Sequence, residues 1–162
     1  MIFTSEPSSN EINNSYLKEA AGTNQKSTFR ANSKRRVLAV DDNASMRAFL
    51  YDALSMLDYN VVTEGSGTEG FERFIQKYFD LVITDCQMPS MDGWQLAELI
   101  KKVSNHTPII LVTGQNKDQV MDKMQCGYID LILFKPFELD DFYKTVRASL
   151  EIKNLRCHPS RL

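Results

Sequence analysis

The 162-residue chain is poor in the residues that metal fingers, disulfide scaffolds and membrane spans require. Its three cysteines, Cys86, Cys126 and Cys157, form no Cys-x-x-Cys pair. They are too few and too scattered for a disulfide framework or a zinc site, and a reducing cytoplasm is the expected compartment. No run of about 18 apolar residues is present to span a bilayer. The opening stretch MIFTSEPSSN has neither a basic nor an apolar signal region, so a soluble chain is expected. Glycine is sparse as well: Gly65 and Gly67 read as turn residues, and no glycine-rich phosphate loop occurs. Net charge is only −2, divided as +3 over residues 1–36 and −5 over the rest, and that acidic remainder excludes a broad nucleic-acid surface.

What is present is a chain 43% hydrophobic and 25% charged, enough for one domain with a real core. Residues 1–34 are rich in Ser, Asn and Thr and read as a flexible tail or linker, 35–152 as the folded domain, and 153–162 as a short tail. From Val37 the texture changes. The apolar run VLAV (37–40) suits a strand covered on both faces, and a helix follows, capped by Ser45, with Met46, Phe49, Leu50, Ala53, Leu54 and Leu57 on one stripe. NVVTE (60–64) leads to a helix with a capping box from Ser66 to Glu69 and an inner face of Phe71, Phe74 and Ile75. DLVITD (80–85) precedes a helix lined by Leu96, Leu99, Ile100 and Val103. PIILVT (108–113) precedes a weaker one with Val120, Met121 and Met124. LILF (131–134) precedes a last one with Leu139, Phe142, Val146 and Leu150. Five alternating strand and helix units imply an α/β doubly wound fold: a parallel sheet with right-handed crossovers and helices on both faces.

In such a sheet ligands bind outside the carboxyl ends of the strands. The first strand delivers Asp41 and Asp42 there, the third Asp85, the fourth Thr113, and the fifth Lys135 followed by Pro136. The second ends in Glu64 and Gly65, which receive no role. Three carboxylates, a hydroxyl and an ammonium would share one crevice. Carboxylates so close raise one another's pKa unless a cation intervenes. With no His or Cys in the set, oxygen ligation favours Mg²⁺, a metal that readily shares its shell with phosphate. One aspartate could then attack phosphorus and form an aspartyl phosphate, the lysine and the hydroxyl holding the phosphoryl oxygens.

The pieces VLAVDDNASMR, LVITDCQMPSMDG, IILVTG and FKPF, in this order and spacing, resemble the receiver domain of two-component response regulators, a CheY-like flavodoxin fold of five strands in the order 2-1-3-4-5. The likeness covers about residues 36–150. It implies Asp85 as phosphoacceptor, Asp41, Asp42 and Asp85 with the Gln87 carbonyl as Mg²⁺ ligands, Thr113 as the switch hydroxyl and Lys135 as the phosphoryl contact. It also implies a cis peptide bond at Lys135-Pro136. Gln87 and Gln115, two residues beyond the acceptor and the threonine, would flank the hydrolytic water. DCQMPSMDG and CGYIDLILFKPF are most similar to receivers fused to hybrid or unorthodox sensor kinases. The implied partners are a histidine kinase or histidine phosphotransfer protein, and an unknown output target on the face made by the fourth helix, fifth strand and fifth helix. Direct nucleic-acid binding and membrane insertion are not implied.

The same residues bear on two other readings. A haloacid-dehalogenase-type phosphatase would carry a second aspartate two residues after its nucleophile, where this chain has Gln87. A receiver-like module binding constitutively would have lost a pocket residue, and none is lost. The chain is therefore expected to catalyse only its own phosphorylation and dephosphorylation. Asp92 reads as a helix cap, Met88, Met91 and Trp94 as packing residues, Cys86 as a buried inert thiol, and KRR (34–36) as a solvated strand entry. Neither His106 nor His158 resembles a phosphorylated histidine. One position departs from the family pattern. Where receivers usually carry an inward-turning aromatic, three residues before the lysine, this chain has Ile132, whose few rotamers imply a smaller conformational lever.

Overall fold

The computed structural model describes residues 34–157, with the side chains of Asp122 and of 155–157 left aside. Strands β1 (Arg36–Val40), β2 (Asn60–Glu64), β3 (Leu81–Asp85), β4 (Ile109–Thr113) and β5 (Leu131–Phe134) alternate with helices α1 (Ala44–Met56), α2 (Gly67–Gln76), α3 (Gly93–Val103), α4 (Lys117–Met124) and α5 (Leu139–Cys157). The strands form one parallel sheet in the order β2-β1-β3-β4-β5. All five strand expectations and the strand order are borne out. The tail reading of residues 1–34 falls, except for Lys34, outside the described residues, as do residues 158–162.

The period-two direction of strand side chains divides the core in two. Leu38, Val40, Val82, Ile109 and Leu111 pack with Phe74, Leu96, Ile100 and Val120 from α2, α3 and α4. Val37, Ala39, Leu81, Ile83, Ile110, Val112 and Leu133 pack with Leu50, Leu54, Phe142, Val146 and Leu150 from α1 and α5. A sheet covered on both faces explains why its strands read as continuous apolar runs instead of alternating ones.

Several helix expectations need correction. The cap of α1 is Asn43, whose side chain accepts the Ser45 and Met46 N–H groups at 2.9 and 3.1 Å, in place of Ser45. Ser66 caps α2 and accepts the Glu69 N–H at 3.3 Å, but the Glu69 carboxylate accepts the Ser66 hydroxyl, not its backbone N–H, so only half of the capping box forms. The reciprocal box stands at α3, where Asp92 and Gln95 exchange bonds of 2.8 and 3.0 Å. Phe49, Ile75, Val103, Met121 and Leu139 are exposed, at the margins or ends of their stripes where the helix has turned from the sheet. The inner face of α2 uses Gly67 and Gly70 beside Phe74. α5 continues to Cys157, past the expected boundary at 152, because Lys153 is buried in a pairing with Asp80 and the Tyr78 hydroxyl that anchors the extra turns.

One glycine is fixed by the sheet's functional edge. A Cβ on Gly93 would lie 2.2 Å from the carbonyl oxygen of Asp85 and 2.9 Å from Leu111 Cδ1, so α3 can start this close to β3 only with glycine. Gly114, after β4, has nothing within 4 Å of such an atom. Gly93→Ala is therefore expected to lower unfolding stability by about 2 kcal/mol or more, as overpacking against backbone does. Gly114→Ala should be nearly neutral. Denaturant titration checks both, and equal stabilities would contradict the close approach.

Candidate functional site

Strand register brings the chemically active side chains to one edge. Val40 pairs with Thr84, Asp85 with Val112, and Thr113 with Phe134, so Asp41 emerges level with Asp85, and Thr113 and Lys135 emerge one and two positions further along the same edge. Backbone bonds extend the ladder just past each strand: Asp41 N–H donates to Glu64 O at 3.2 Å and Lys135 N–H to Thr113 O at 2.7 Å. The Lys135-Pro136 peptide is cis.

The centre is an ion pair. Lys135 Nζ lies 2.6 Å from Asp85 Oδ1 and 3.6 Å from Asp41 Oδ2, reaching from β5 across the end of β4. Asp85 Oδ2 accepts the backbone N–H of Gln87 at 2.7 Å, and Asp41 Oδ1 accepts that of Asn43 at 2.8 Å. Thr113 is buried, and its Oγ1 accepts the Gln115 N–H at 3.0 Å. Arg47 donates to the Asp41 carbonyl at 2.7 Å, closing the β1 side.

The pKa directions follow from this packing. Asp41, only 2% exposed, has its pKa raised, chiefly because burial penalises the carboxylate. The Asn43 bond and the Lys135 charge oppose that rise, while the charges of Asp85 and Asp42 add to it. Burial would lower the Lys135 pKa, but the hydrogen bond and charge of Asp85, then of Asp41, outweigh it, and the ammonium is held above its usual range. Burial pushes the Cys86 thiol up. Its side chain is buried and its Sγ–H donates to Gln115 Oε1 at 3.3 Å, an interaction the sequence reading did not anticipate.

The three carboxylates do not gather as a closed cage. Asp42 is exposed, and among the described residues no three His, Cys, Asp or Glu side chains converge closely enough to hold a metal unaided. The donors present still suit a hard cation that keeps some of its waters. Asp41 Oδ2 is buried and accepts no hydrogen bond, and the carboxylate that shares the Lys135 ammonium with it, Asp85, is also an oxygen donor. Gln87 is exposed in the turn after Asp85.

Residues left without a role fall elsewhere. Glu64 pairs with Arg73 at 2.6 Å. Lys34 pairs with Asp58, and Arg36 donates to the Tyr78 carbonyl at 3.5 Å, so two of the KRR charges have local partners. His106 Nε2 lies 3.2 Å from Ser104 Oγ, away from the crevice. Ile132 is half-buried and packs on the core under α3 and α4 with Tyr128 and Phe134.

A group whose folded pKa is raised contributes stability below its unfolded pKa and loses it as pH rises through the folded value. In Mg²⁺-free buffer Asp41 should therefore weaken the fold as pH climbs from the ordinary carboxylate range toward neutrality. Asp41→Asn should melt above the wild type at pH 7, with the gap closing as the pH falls toward 4, about the free carboxylate pKa. Melting curves across that window check it, and a gap independent of pH would contradict it.

Comparison with known proteins agrees with this geometry. A family model described as the response regulator receiver domain matches residues 37–147. The "Probable transcriptional regulator ycf27" of Guillardia theta is 37% identical over 131 residues, covering 80% of this chain and 50% of that protein. The response regulator ArlR of Staphylococcus aureus is 33% identical over 118 residues, 71% of this chain and 52% of that one. The chain thus spans about half the length of the curated relatives it matches. Among solved structures, a receiver domain protein of Clostridium thermocellum superposes with a TM-score of 0.70 at 26% identity, covering 75% of this chain and 98% of that one. The chemotaxis protein CheY4 of Vibrio cholerae gives 0.69 at 28% identity, covering 72% and 99%. Among the described residues no helix is long and apolar enough to cross a membrane. The crevice at the ends of β1, β3, β4 and β5 and the matched sequence lead to one assignment: the chain belongs to the response regulator receiver domain family of two-component signalling.

Proposed function

We propose that this chain accepts a phosphoryl group on Asp85 from a histidine kinase or histidine phosphotransfer protein, and that the resulting change in conformation alters partner binding. The observation that carries the reading is the 2.6 Å pairing of Lys135 Nζ with Asp85 Oδ1 at the open edge of the sheet. It holds a carboxylate nucleophile and a cation for phosphoryl oxygens in one place.

In the transfer, an Asp85 carboxylate oxygen forms a bond to phosphorus as the phosphorus–nitrogen bond of the donor histidine breaks, and the electron pair returns to the imidazole. Lys135 turns from the carboxylate it neutralises to the phosphoryl oxygens, while the Thr113 hydroxyl donates to one of them once it turns from its present role as acceptor for Gln115. Asp41, Asp42, Asp85 and the Gln87 carbonyl would hold Mg²⁺, which when bound supplies positive charge against the carboxylates and the phosphoryl oxygens. Gln115, whose N–H meets Thr113 Oγ1, and the exposed Gln87 flank the acceptor and would set the rate of hydrolysis, so that the chain's catalysis is confined to its own phosphorylation state.

The output surface is taken to be the α4-β5-α5 face and the compartment the cytoplasm. Ile132, at an inward position of β5, offers a smaller lever there than an aromatic ring, so partner binding must supply more of the population shift. The likeness to receivers of hybrid sensor kinases rests on motif phrases alone, since the relatives named above are a transcriptional regulator and a response regulator.

Acetyl phosphate with Mg²⁺ should add one hydroxylamine-labile phosphoryl group to the protein, and Asp85→Asn should remove that gain. Intact-protein mass spectrometry reads the outcome. Equal labelling of the variant would overturn the assignment of Asp85.

A further inference from the structure

Cys86 plays no part in the transfer described above, yet it is 3% exposed, follows the acceptor directly and makes a specific contact. Its Sγ–H donates to Gln115 Oε1 at 3.3 Å, while the Gln115 backbone N–H donates to Thr113 Oγ1 at 3.0 Å. The glutamine is therefore tethered twice, by its side chain to the residue after β3 and by its backbone to the end of β4. Gln115 itself is half-buried, so its amide lies where the core meets the crevice.

Which end of that amide faces the acceptor matters chemically. A glutamine side chain has one acceptor oxygen and two N–H donors. In hydrolysis of an aspartyl phosphate, the water oxygen bonds to phosphorus, the bond from phosphorus to the Asp85 oxygen breaks, and the water's proton passes to the released phosphate. A neighbour helps by accepting a hydrogen of that water, leaving the lone pair aimed at phosphorus. An N–H donor does the reverse, because it engages the lone pair that must attack.

Resting on the reading of Asp85 as phosphoacceptor, we propose that Cys86 is a positioning residue: its thiol latches the carbonyl oxygen of Gln115 toward the core and so lengthens the life of the phosphoryl group. The thiol also meets the side chains of Thr113 and Trp94, and the buried Trp94 Nε1–H has no partner among the described residues. Removing the thiol frees the amide to rotate and present its oxygen to the attacking water. Serine in its place keeps a donor hydrogen.

The full chain is labelled with acetyl phosphate and Mg²⁺, and decay is followed by mass spectrometry after desalting into Mg²⁺ buffer. Cys86→Ala should shorten the lifetime about two- to five-fold, the factor set by one modest hydrogen bond. Cys86→Ser should return it toward the wild-type value. In a Gln115→Ala background, Cys86→Ala should have no further effect, a non-additivity that a merely structural role would not produce. The side-chain amide NMR signal of Gln115, assigned by its loss in Gln115→Ala, should move in Cys86→Ala without any phosphoryl donor present. Failure of the wild type to take up phosphate would count against Asp85 as acceptor. Normal uptake with an unchanged lifetime in Cys86→Ala, or the same acceleration with and without Gln115, would overturn the latch alone.

Discussion

The contact between Lys135 and Asp85 is the constraint on which the rest of the molecule depends. A carboxylate at the mouth of an apolar core is costly unless paired. Here the partner comes from a strand two positions away in the sheet, so the pairing exists only if β3, β4 and β5 lie in this order and register. The same ammonium reaches Asp41 at 3.6 Å, and one cation thus also moderates a carboxylate that burial and the neighbouring charge of Asp85 disfavour. Fold and chemistry are linked through this arrangement, because the covered sheet presents Asp85 at its edge and also limits the ways its charge can be offset.

That economy explains why the site is open instead of preformed as a cage. Asp41 is locked by the Asn43 N–H and by burial, while Asp42 is left in solvent and Gln87 lies in an exposed turn. One rigid and two solvent-facing elements suit the water-retaining cation and the transient phosphoryl group of the proposed function. The close start of α3 at Gly93, with its capping box, keeps the turn after β3 short and holds it against the Asp85 carbonyl. On the far side, the Cys86–Gln115 contact joins the residue after Asp85 to Thr113.

Much of this was legible in the sequence, and the reason is physical. Apolar runs such as VLAV and IILVT, bounded by turn residues and alternating with helical stripes, suit strands covered on both faces, and the residues at the end of each run land at the sheet edge. Less legible was anything decided by neighbours distant in sequence. Asn43 displaced Ser45 as cap because both are competent and local geometry chose between them. Ile75 and Val103 fit a helical stripe yet lie beyond the sheet's reach. The continuation of α5 depends on Lys153 meeting Asp80, a contact across more than seventy positions. The Cys86–Gln115 bond has no sequence signal either, since a thiol is usually silent and its partner lies 29 residues away.

If Lys135 neutralises Asp85 and Asp41 until a phosphoryl group draws it away, it must compete with a metal for the same oxygens. Lys135→Met retains the side chain's length and apolar stem without the charge. Calorimetric titration of the two proteins with Mg²⁺ is the direct test. The account predicts that Lys135→Met binds Mg²⁺ about tenfold more tightly or better, as removal of a nearby unit charge implies, while losing retention of the phosphoryl mimic beryllofluoride. Equal or weaker Mg²⁺ binding by the variant would contradict it.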